Sequence, residues 1–255
     1  MAQTFRYPEI LSIARRDGKV TVDGLAEHFG VTQQTIRRDL SELADAGKLD
    51  RVHGGAIIPS GTENIAYLER RSLNLSGKVD IARAAAARLP EHCSVFVNIG
   101  TTTEAVANEL LSHRDLMAVT NNMNVAHILS QNQSCEVHLT GGTLRRTDGG
   151  LIGPITMDTI CKFKFDYAVI GCSALDLEGD ILDFDIAEVG VSQAIIAQAR
   201  KVFLVADHTK FQRNAPARIG SLSQIDCLFT DKPLVPALQS ACDRWNTTVV
   251  VADPR

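Results

Sequence analysis

Between Val22 and Leu43 the apolar side chains fall into two short helical stripes separated by a turn signal. Leu25, Ala26 and Phe29 make the first stripe, and Gly30 stands where a helix ends on a residue of positive φ. Thr32 opens the second helix as its N-cap, with a hydroxyl placed to accept from an otherwise orphan backbone N–H. Ile36, Leu40 and Leu43 recur at i, i+4 and i+7, so that face packs inward while Gln33, Gln34, Arg37, Arg38 and Ser41 point away. The spacing predicts a helix-turn-helix. Gly47 closes the second helix, and the alternating stretch Lys48 to Val52 leads into His53-Gly54-Gly55-Ala56-Ile57-Ile58, which predicts a hairpin with a glycine turn, a wing.

Beyond the wing the texture changes twice. Pro59-Ser60-Gly61-Thr62-Glu63-Asn64 is a cluster of turn formers and reads as a linker; Leu68 to Leu75 reads as a docking or coupling segment, with Glu69-Arg70-Arg71 resembling a charged surface helix. A helix is predicted over Lys78 to Leu89, with Val79, Ala82, Ala86 and Leu89 on one side. Seven compact apolar runs then follow at Ser94–Ile99, Met117–Thr120, Glu136–Leu139, Tyr167–Ile170, Val202–Val205, Cys227–Phe229 and Thr247–Val251, most of them separated by helix-length segments. That succession predicts an α/β domain with a mostly parallel sheet. The expected division is therefore 1–58 for a winged helix-turn-helix, 59–76 for a linker and 77–255 for the larger domain.

The polar face of the second helix has the chemistry of a duplex reader. Gln bonds bidentately to adenine and Arg to guanine in the major groove, each pair discriminating by about 1 to 3 kcal/mol, while Thr, Ser and further Arg suit phosphate oxygens. Candidate DNA contacts are Thr32, Gln33, Gln34, Thr35, Arg37 and Arg38 on the helix, with Arg51 and His53 on the wing. Residues 1–58 carry eight basic and eight acidic side chains, so binding depends on a local basic stripe, and on two or more copies of it, rather than on bulk charge.

In the second domain the loops at the carboxyl ends of the strands carry polar clusters: Gly100-Thr101-Thr102-Thr103, Asn121-Asn122, Gly141-Gly142, Gly171-Cys172-Ser173 and Asp207-His208-Thr209-Lys210. In an open parallel sheet these loops share one edge, where ligands bind. Gly100 lets backbone approach a ligand closely, and the threonines precede a helix predicted over Glu104 to Leu111 whose free N–H groups favour an anion such as phosphate. The plainer alternative is that Thr103 simply caps that helix. Lys210, Arg145 and Arg146 add cations near the edge, and Asp183, Asp185, Glu188 and Asp207 add acceptors for hydroxyl groups, a mixture that suits a phosphorylated hydroxy compound.

Composition narrows the classes. At 255 residues and 45% hydrophobic the chain holds a small domain and a larger one with a substantial core. No run approaches a membrane span, the polar N-terminus has no signal-peptide core, and the six cysteines are scattered without a C-x-x-C pair. A cytoplasmic protein without metal or other cofactor is expected, and no membrane partner. Motifs for metalloproteases, α/β-hydrolases, P-loops and dinucleotide binding are missing, and His208 beside Asp207 points away from it on a strand end, so catalysis is not expected.

The segments Gln34-Thr35-Ile36-Arg37-Arg38-Asp39-Leu40, His53-Gly54-Gly55-Ala56, Ile99-Gly100-Thr101-Thr102, Thr120-Asn121-Asn122, Gly141-Gly142 and Asp207-His208-Thr209-Lys210-Phe211 together resemble the DeoR family of bacterial transcriptional regulators, over nearly the whole chain. The resemblance implies a winged helix-turn-helix followed by a domain similar to ribose-5-phosphate isomerase that senses a phosphorylated small molecule. It also implies a homodimer or homotetramer on palindromic DNA operators. Taken with the reading of the loops, the candidate effector contacts are Asn98, Gly100, Thr101, Thr102, Thr103, Thr120, Asn121, Asn122, Gly141, Gly142, Arg145, Asp207 and Lys210. Two departures stand out. Asn98 occupies a position usually acidic in the family, and Gly171-Cys172-Ser173-Ala174 stands where the isomerase has an acidic catalytic cluster. A repressor responding to one or another sugar phosphate, a sugar-phosphate isomerase with an appended DNA-binding domain, and an activator or dual regulator rather than a repressor remain as alternatives.

Overall fold

A computed structural model describes residues 2–17, 19–57, 64 and 66–254. The first elements are α1 (Ala2–Asp17), β1 (Lys19–Thr21), α2 (Val22–Phe29), α3 (Gln33–Asp45), β2 (Asp50–Val52) and β3 (Gly55–Ile57). Gly30 ends α2 in the left-handed region at φ 62°, and Thr32 caps α3 by accepting from the Thr35 amide. Gly47 is left-handed as well, and the Lys48 amide reaches back to the Leu43 carbonyl, closing α3 as its sequence signals. Ile36, Leu40 and Leu43 are buried against Ile10, Ala14, Val20, Val22 and Leu25.

Two elements of this unit come in addition to the predicted ones. α1 supplies Ile10 and Ala14 to the core, and β1 adds a third strand to the wing by pairing with β3. Gly54 makes the hairpin turn at φ 77°, but Gly55 answers to a different constraint: a Cβ there would stand 1.9 Å from the Val20 carbonyl oxygen, where β1 crosses. Ile58 of the predicted hairpin, and residues 59–63 and 65 of the predicted linker, lie outside the described residues.

The chain continues with α4 (Tyr67–Ser72), α5 (Leu75–Ala86), β4 (Ser94–Val97), α6 (Thr101–Glu109), β5 (Leu116–Thr120), α7 (Met123–Leu129), β6 (Cys135–Leu139), β7 (Thr143–Arg145), β8 (Gly150–Ile152) and α8 (Pro154–Ile160). It ends with β9 (Phe165–Ile170), β10 (Ala174–Leu175), β11 (Asp180–Asp183), α9 (Ile186–Gln198), β12 (Ala199–Val205), β13 (Ala217–Ser221), β14 (Cys227–Thr230), α10 (Pro236–Trp245) and β15 (Thr248–Val251). The seven predicted strands are the seven strands of one sheet, ordered β15-β14-β12-β9-β4-β5-β6 and parallel at every pairing.

Both faces of that sheet are covered, which is why its strands read as continuous apolar runs. Val95, Val97, Val169, Phe203 and Val205 face a core shared with α5, α6 and α7. Their neighbours Phe96, Ala168, Ile170, Val202 and Leu204 face the opposite core with α8, α9 and α10. Truncating a fully buried side chain such as Phe96 costs about 3 to 5 kcal/mol. A hairpin, β7–β8, and a small antiparallel sheet, β10-β11-β13, are additions too short to announce themselves as periodic runs.

Two predicted helices shift. The first is α5, which spans Leu75–Ala86 rather than Lys78–Leu89 and buries Ile81, Ala82, Ala85 and Ala86, leaving Val79 half-buried. The cause lies at its start, where Gly77 fits against Asn74 and Asp231 with no room for a Cβ. The second is α6, which begins at Thr101 rather than Glu104, so the threonines form its first turn and Gly100 is the cap.

The order of the sheet locates a crevice. From β4 the chain winds outward through β5 to β6, then returns to β9 beside β4 and winds the other way to β15. Neighbouring strands whose connections leave in opposite directions open a gap at their carboxyl ends, the topological switch point. Here it lies between the loops after β4 and β9.

Candidate functional site

Two sites emerge, one on α3 and one at the switch point. On α3 the side chains of Gln33, Gln34, Arg37 and Arg38 are exposed and Asp39 is fully buried, its carboxylate taken by Arg6 of α1 at 2.7 Å. The acidic residue is thereby removed from the outer face, leaving a local basic stripe on a unit of zero net charge. Arg37 Nη2 donates to Gln33 Oε1 at 3.3 Å and Arg38 Nε to Glu42 Oε1 at 2.9 Å; such exposed pairs contribute only tenths of a kcal/mol and give way readily to a stronger acceptor. Thr32 and Thr35 are joined through their hydroxyls at 3.0 Å.

The wing adds an arginine to this surface in a way its sequence does not disclose. Arg51 Nη1 donates to the Arg37 carbonyl at 2.9 Å and to Ser41 Oγ at 3.1 Å, so β2 lays its guanidinium on the later half of α3. His53 is exposed at the hairpin turn. All eight predicted DNA contacts belong to α3, its cap or the wing.

At the switch point a pocket is lined on one side by Gly100, Thr101, Thr102 and Thr103, on another by Gly171, Cys172 and Ser173, and further by Arg70, Lys210, Asp183 and Glu188. Gly100 sits at φ 148°, a conformation strained for any other residue, and a Cβ would press on Thr103 Oγ1 at 3.2 Å. The amides of Thr101, Thr102 and Thr103 precede the first hydrogen bond of α6, from the Glu104 amide to the Gly100 carbonyl, and are the free N–H groups of a helix start. Thr103's own hydroxyl turns back to donate to Gly100's carbonyl at 2.8 Å.

Charge divides this pocket in two. Lys210 and Arg70 line it, and Lys78 and Arg213 stand within electrostatic reach of Lys210, with Asp207 acting on all three of Lys78, Lys210 and Arg213, Glu69 on Arg213 and Asp148 at 3.5 Å from Arg70. Burial pushes the Lys78 ammonium down to about 8, with Lys210 adding to the effect, and it lowers Lys210 and Arg213 as well. Arg213 Nη1 and Arg70 Nε are buried without a hydrogen-bond partner. Desolvated cations with spare donors are what a dianion compensates.

Acidic residues hold the other end. Asp183 is buried and accepts from the Phe184 amide at 2.7 Å, and burial together with Asp183 raises the Glu188 carboxyl above its ordinary range. Carboxylates there accept from hydroxyl groups. Burial pushes the Cys172 thiol up to about 12, which favours its protonated form.

The predicted effector residues do not all gather. Gly100, Thr101, Thr102, Thr103 and Lys210 line the pocket. Asp207 stands behind Lys210, its Oδ1 accepting from the Thr209 amide and hydroxyl. Asn98 is buried with both ends of its amide used, donating to Ser192 Oγ at 3.0 Å and accepting from the Ile99 amide at 2.7 Å. Thr120 ends β5 and Asn121 and Asn122 follow it, one strand away, where the three donate to the Val97 carbonyl, the Leu151 carbonyl and Glu104 respectively.

Gly141 and Gly142 follow β6, two strands away, where a Cβ on Gly142 would meet Thr156 Oγ1 at 2.1 Å. Arg145 is held by Asp148, Asp185 and Glu188 at 2.6 to 2.9 Å and has no charge left for a phosphate. Strand order accounts for part of the division: the loops after β4 and β9 border the switch point and the loop after β12 adds Lys210, whereas the residues after β5 and β6 on the other side do not line the pocket. Arg70, Lys78 and Arg213 were not singled out by sequence, since separate segments bring them together.

Comparison with known proteins adds to this geometry. Residues 6–62 match the DeoR-like helix-turn-helix domain and residues 73–232 the DeoR C-terminal sensor domain. The chain is 44% identical over 233 residues to the glycerol-3-phosphate regulon repressor of Escherichia coli K12, covering 91% of this chain and 92% of that one. It is also 44% identical over 230 residues to the protein of the same name in Haemophilus influenzae, covering 90% of each. Among solved structures, ribose 5-phosphate isomerase A from Neisseria gonorrhoeae matches 52% of each chain at 14% identity with a TM-score of 0.39, too distant to support anything about the site.

Proposed function

The chain belongs to the DeoR family of transcriptional regulators, and from that premise we propose that it is a repressor that holds its operator through α3 and the wing and lets go when glycerol 3-phosphate fills the switch-point pocket. The observation that carries the effector half is the two-ended pocket. Lys210, Arg70 and the α6 amides suit a phosphate, and Asp183 and Glu188 suit the hydroxyls of a short polyol. The relatives named for the glycerol-3-phosphate regulon support the same ligand.

Residues 1–58 act as the DNA-binding domain, 59–76 as the linker and 77–255 as the sensing and oligomerising domain. A homodimer or homotetramer in the cytoplasm sets two copies of α3 one DNA turn apart, and its affinity depends on both engaging together. A coupling of about 1 to 3 kcal/mol is typical between two sites, and induction here needs the upper end of that range. The pocket is read as a sensor rather than a catalytic centre: Cys172 on its wall is held as a thiol, and Asp207 beside Lys210 is committed to the Thr209 amide and hydroxyl.

The test is a footprint of the full chain on the DNA upstream of its own gene at low ionic strength. Protection of a palindromic segment is expected. Uniform cleavage at every concentration would remove the DNA-binding half of the proposal.

A further inference from the structure

The connector between the two functional regions contributes a cation to the pocket. Asn64 and residues 66–73 are tied at several points to the pocket's wall and to what stands behind it. Asn64 Nδ2 donates to Ser173 Oγ at 2.9 Å, and Tyr67 Oη donates to Glu104 Oε2 at 2.7 Å while accepting from Asn124 Nδ2 at 3.0 Å. The backbone carbonyl of Arg70 accepts from the buried Lys78 ammonium. Ser173 lines the pocket and Glu104 lies in the first turns of α6, so each tie lands on the pocket's own wall or close behind it.

Among the described residues of the connector, Arg70 lines the pocket itself, and it is underused there. Its Nε is buried with no partner, and its Nη2 reaches Asp148 Oδ2 only at 3.5 Å. Asp148 is already claimed by Arg145, which donates to its two oxygens at 2.9 and 2.7 Å. A guanidinium with a weak, shared counter-ion and a free donor facing an anion pocket has more to gain from a bound phosphate than from its present contact.

We infer that Arg70 is an effector ligand supplied by the connector, and that its capture by the ligand's anion, away from Asp148, is the event that moves α4 and transmits occupancy to the DNA-binding region. This rests on reading the pocket as the effector site. The other cations at the anion end, such as Lys210, belong to the sensing domain, so they set affinity without carrying a signal. Ligand affinity and DNA release are therefore separable by residue.

The full chain is titrated with glycerol 3-phosphate by calorimetry, and operator release at ligand saturation is followed by fluorescence anisotropy, for the unaltered protein, Lys210→Met and Arg70→Gln. The unaltered chain is expected to lose operator affinity on the order of 100-fold at saturation. Lys210→Met binds ligand at least about tenfold more weakly yet reaches the same release once saturated. Arg70→Gln, compared with its own operator affinity without ligand, loses less than about threefold of it at saturation. Full release by saturated Arg70→Gln overturns the inference while leaving the pocket's function intact; absence of ligand binding by the unaltered chain removes both. Hydrogen exchange on the unaltered chain stands independently of any variant's folding: protection of peptides spanning 66–73 must change with ligand, and an unchanged pattern overturns the proposed movement.

Discussion

Asp39 and Arg6 form a 2.7 Å ion pair on the inward side of α3, with the carboxylate fully buried. An acidic residue inside a DNA-binding helix is thus a clamp to α1 rather than a repulsive element facing the duplex. Removing the carboxylate leaves Arg6 half in the core without this counter-ion, so Asp39→Ala is expected to destabilise the N-terminal unit by about 2 to 4 kcal/mol. Denaturant melts report it, and a change below half a kcal/mol would mean that the pair is not structural.

Arg37 and Arg51 share one surface but differ in what they can read. Arg37 leaves the exposed face of α3, and its alanine variant is expected to cost about 1 to 3 kcal/mol with relaxed preference at one base pair. Arg51 lies flat against the helix backbone, where phosphate is the accessible partner. Arg51→Ala is expected to weaken all sequences alike and reduce the salt slope by about one. A binding-site selection on both variants separates the two; a base-specific loss from Arg51→Ala would reverse the assignment.

Proton uptake should accompany ligand binding. Lys78 is held down to about 8 by burial and by Lys210, so near that pH a fraction of the cluster is uncharged. A phosphate dianion favours the charged forms and raises these values, drawing protons from solution. Calorimetry at pH 8 in buffers of different ionisation enthalpy is expected to show heats that vary with buffer in the sense of uptake, and less so near pH 6.5. Buffer-independent heats at pH 8 would place the anion away from Lys78 and Lys210.

A second titration concerns folding. Burial alone would raise Asp231, yet hydrogen bonds from His208 and Asn74, joined by the His208 amide, hold its carboxyl down to about 2. A depressed carboxyl contributes stability above its unfolded value of 3.8 that disappears as pH falls toward 2, here up to about 2 kcal/mol. Asp231→Asn is expected to flatten that part of the acid limb. An unchanged slope between pH 4 and 2 would show that the bonds to His208 and Asn74 do not set it.

Much of the fold is legible in the chain because periodicity and punctuation agree. Gly30, Thr32 and Gly47 mark the ends of α2 and α3 by their chemistry, and seven apolar runs become seven parallel strands because two covered faces demand them. The helix α1 carries a readable stripe at Tyr7, Ile10, Leu11 and Ala14, at i, i+3, i+4 and i+7, so its signal is present though easily passed over.

The pocket was only half legible. Gly100 and its threonines announce themselves by local chemistry, whereas strand order decides which other loops reach them, and strand order is not periodic. Arg145 looked available by charge alone, and only three-dimensional placement reveals Asp148, Asp185 and Glu188 around it. Conversely Arg70, in a stretch that reads as charged surface, proves to line the pocket.

The central claim is tested most directly by anisotropy of a labelled operator duplex bound to the full chain, titrated with glycerol 3-phosphate and, in parallel, with glycerol. Release is expected with the phosphorylated compound at micromolar to millimolar concentration and none with glycerol, because the polyol alone leaves the cations at Lys210 and Arg70 unanswered. An operator complex indifferent to both compounds, or equally sensitive to both, would contradict the account.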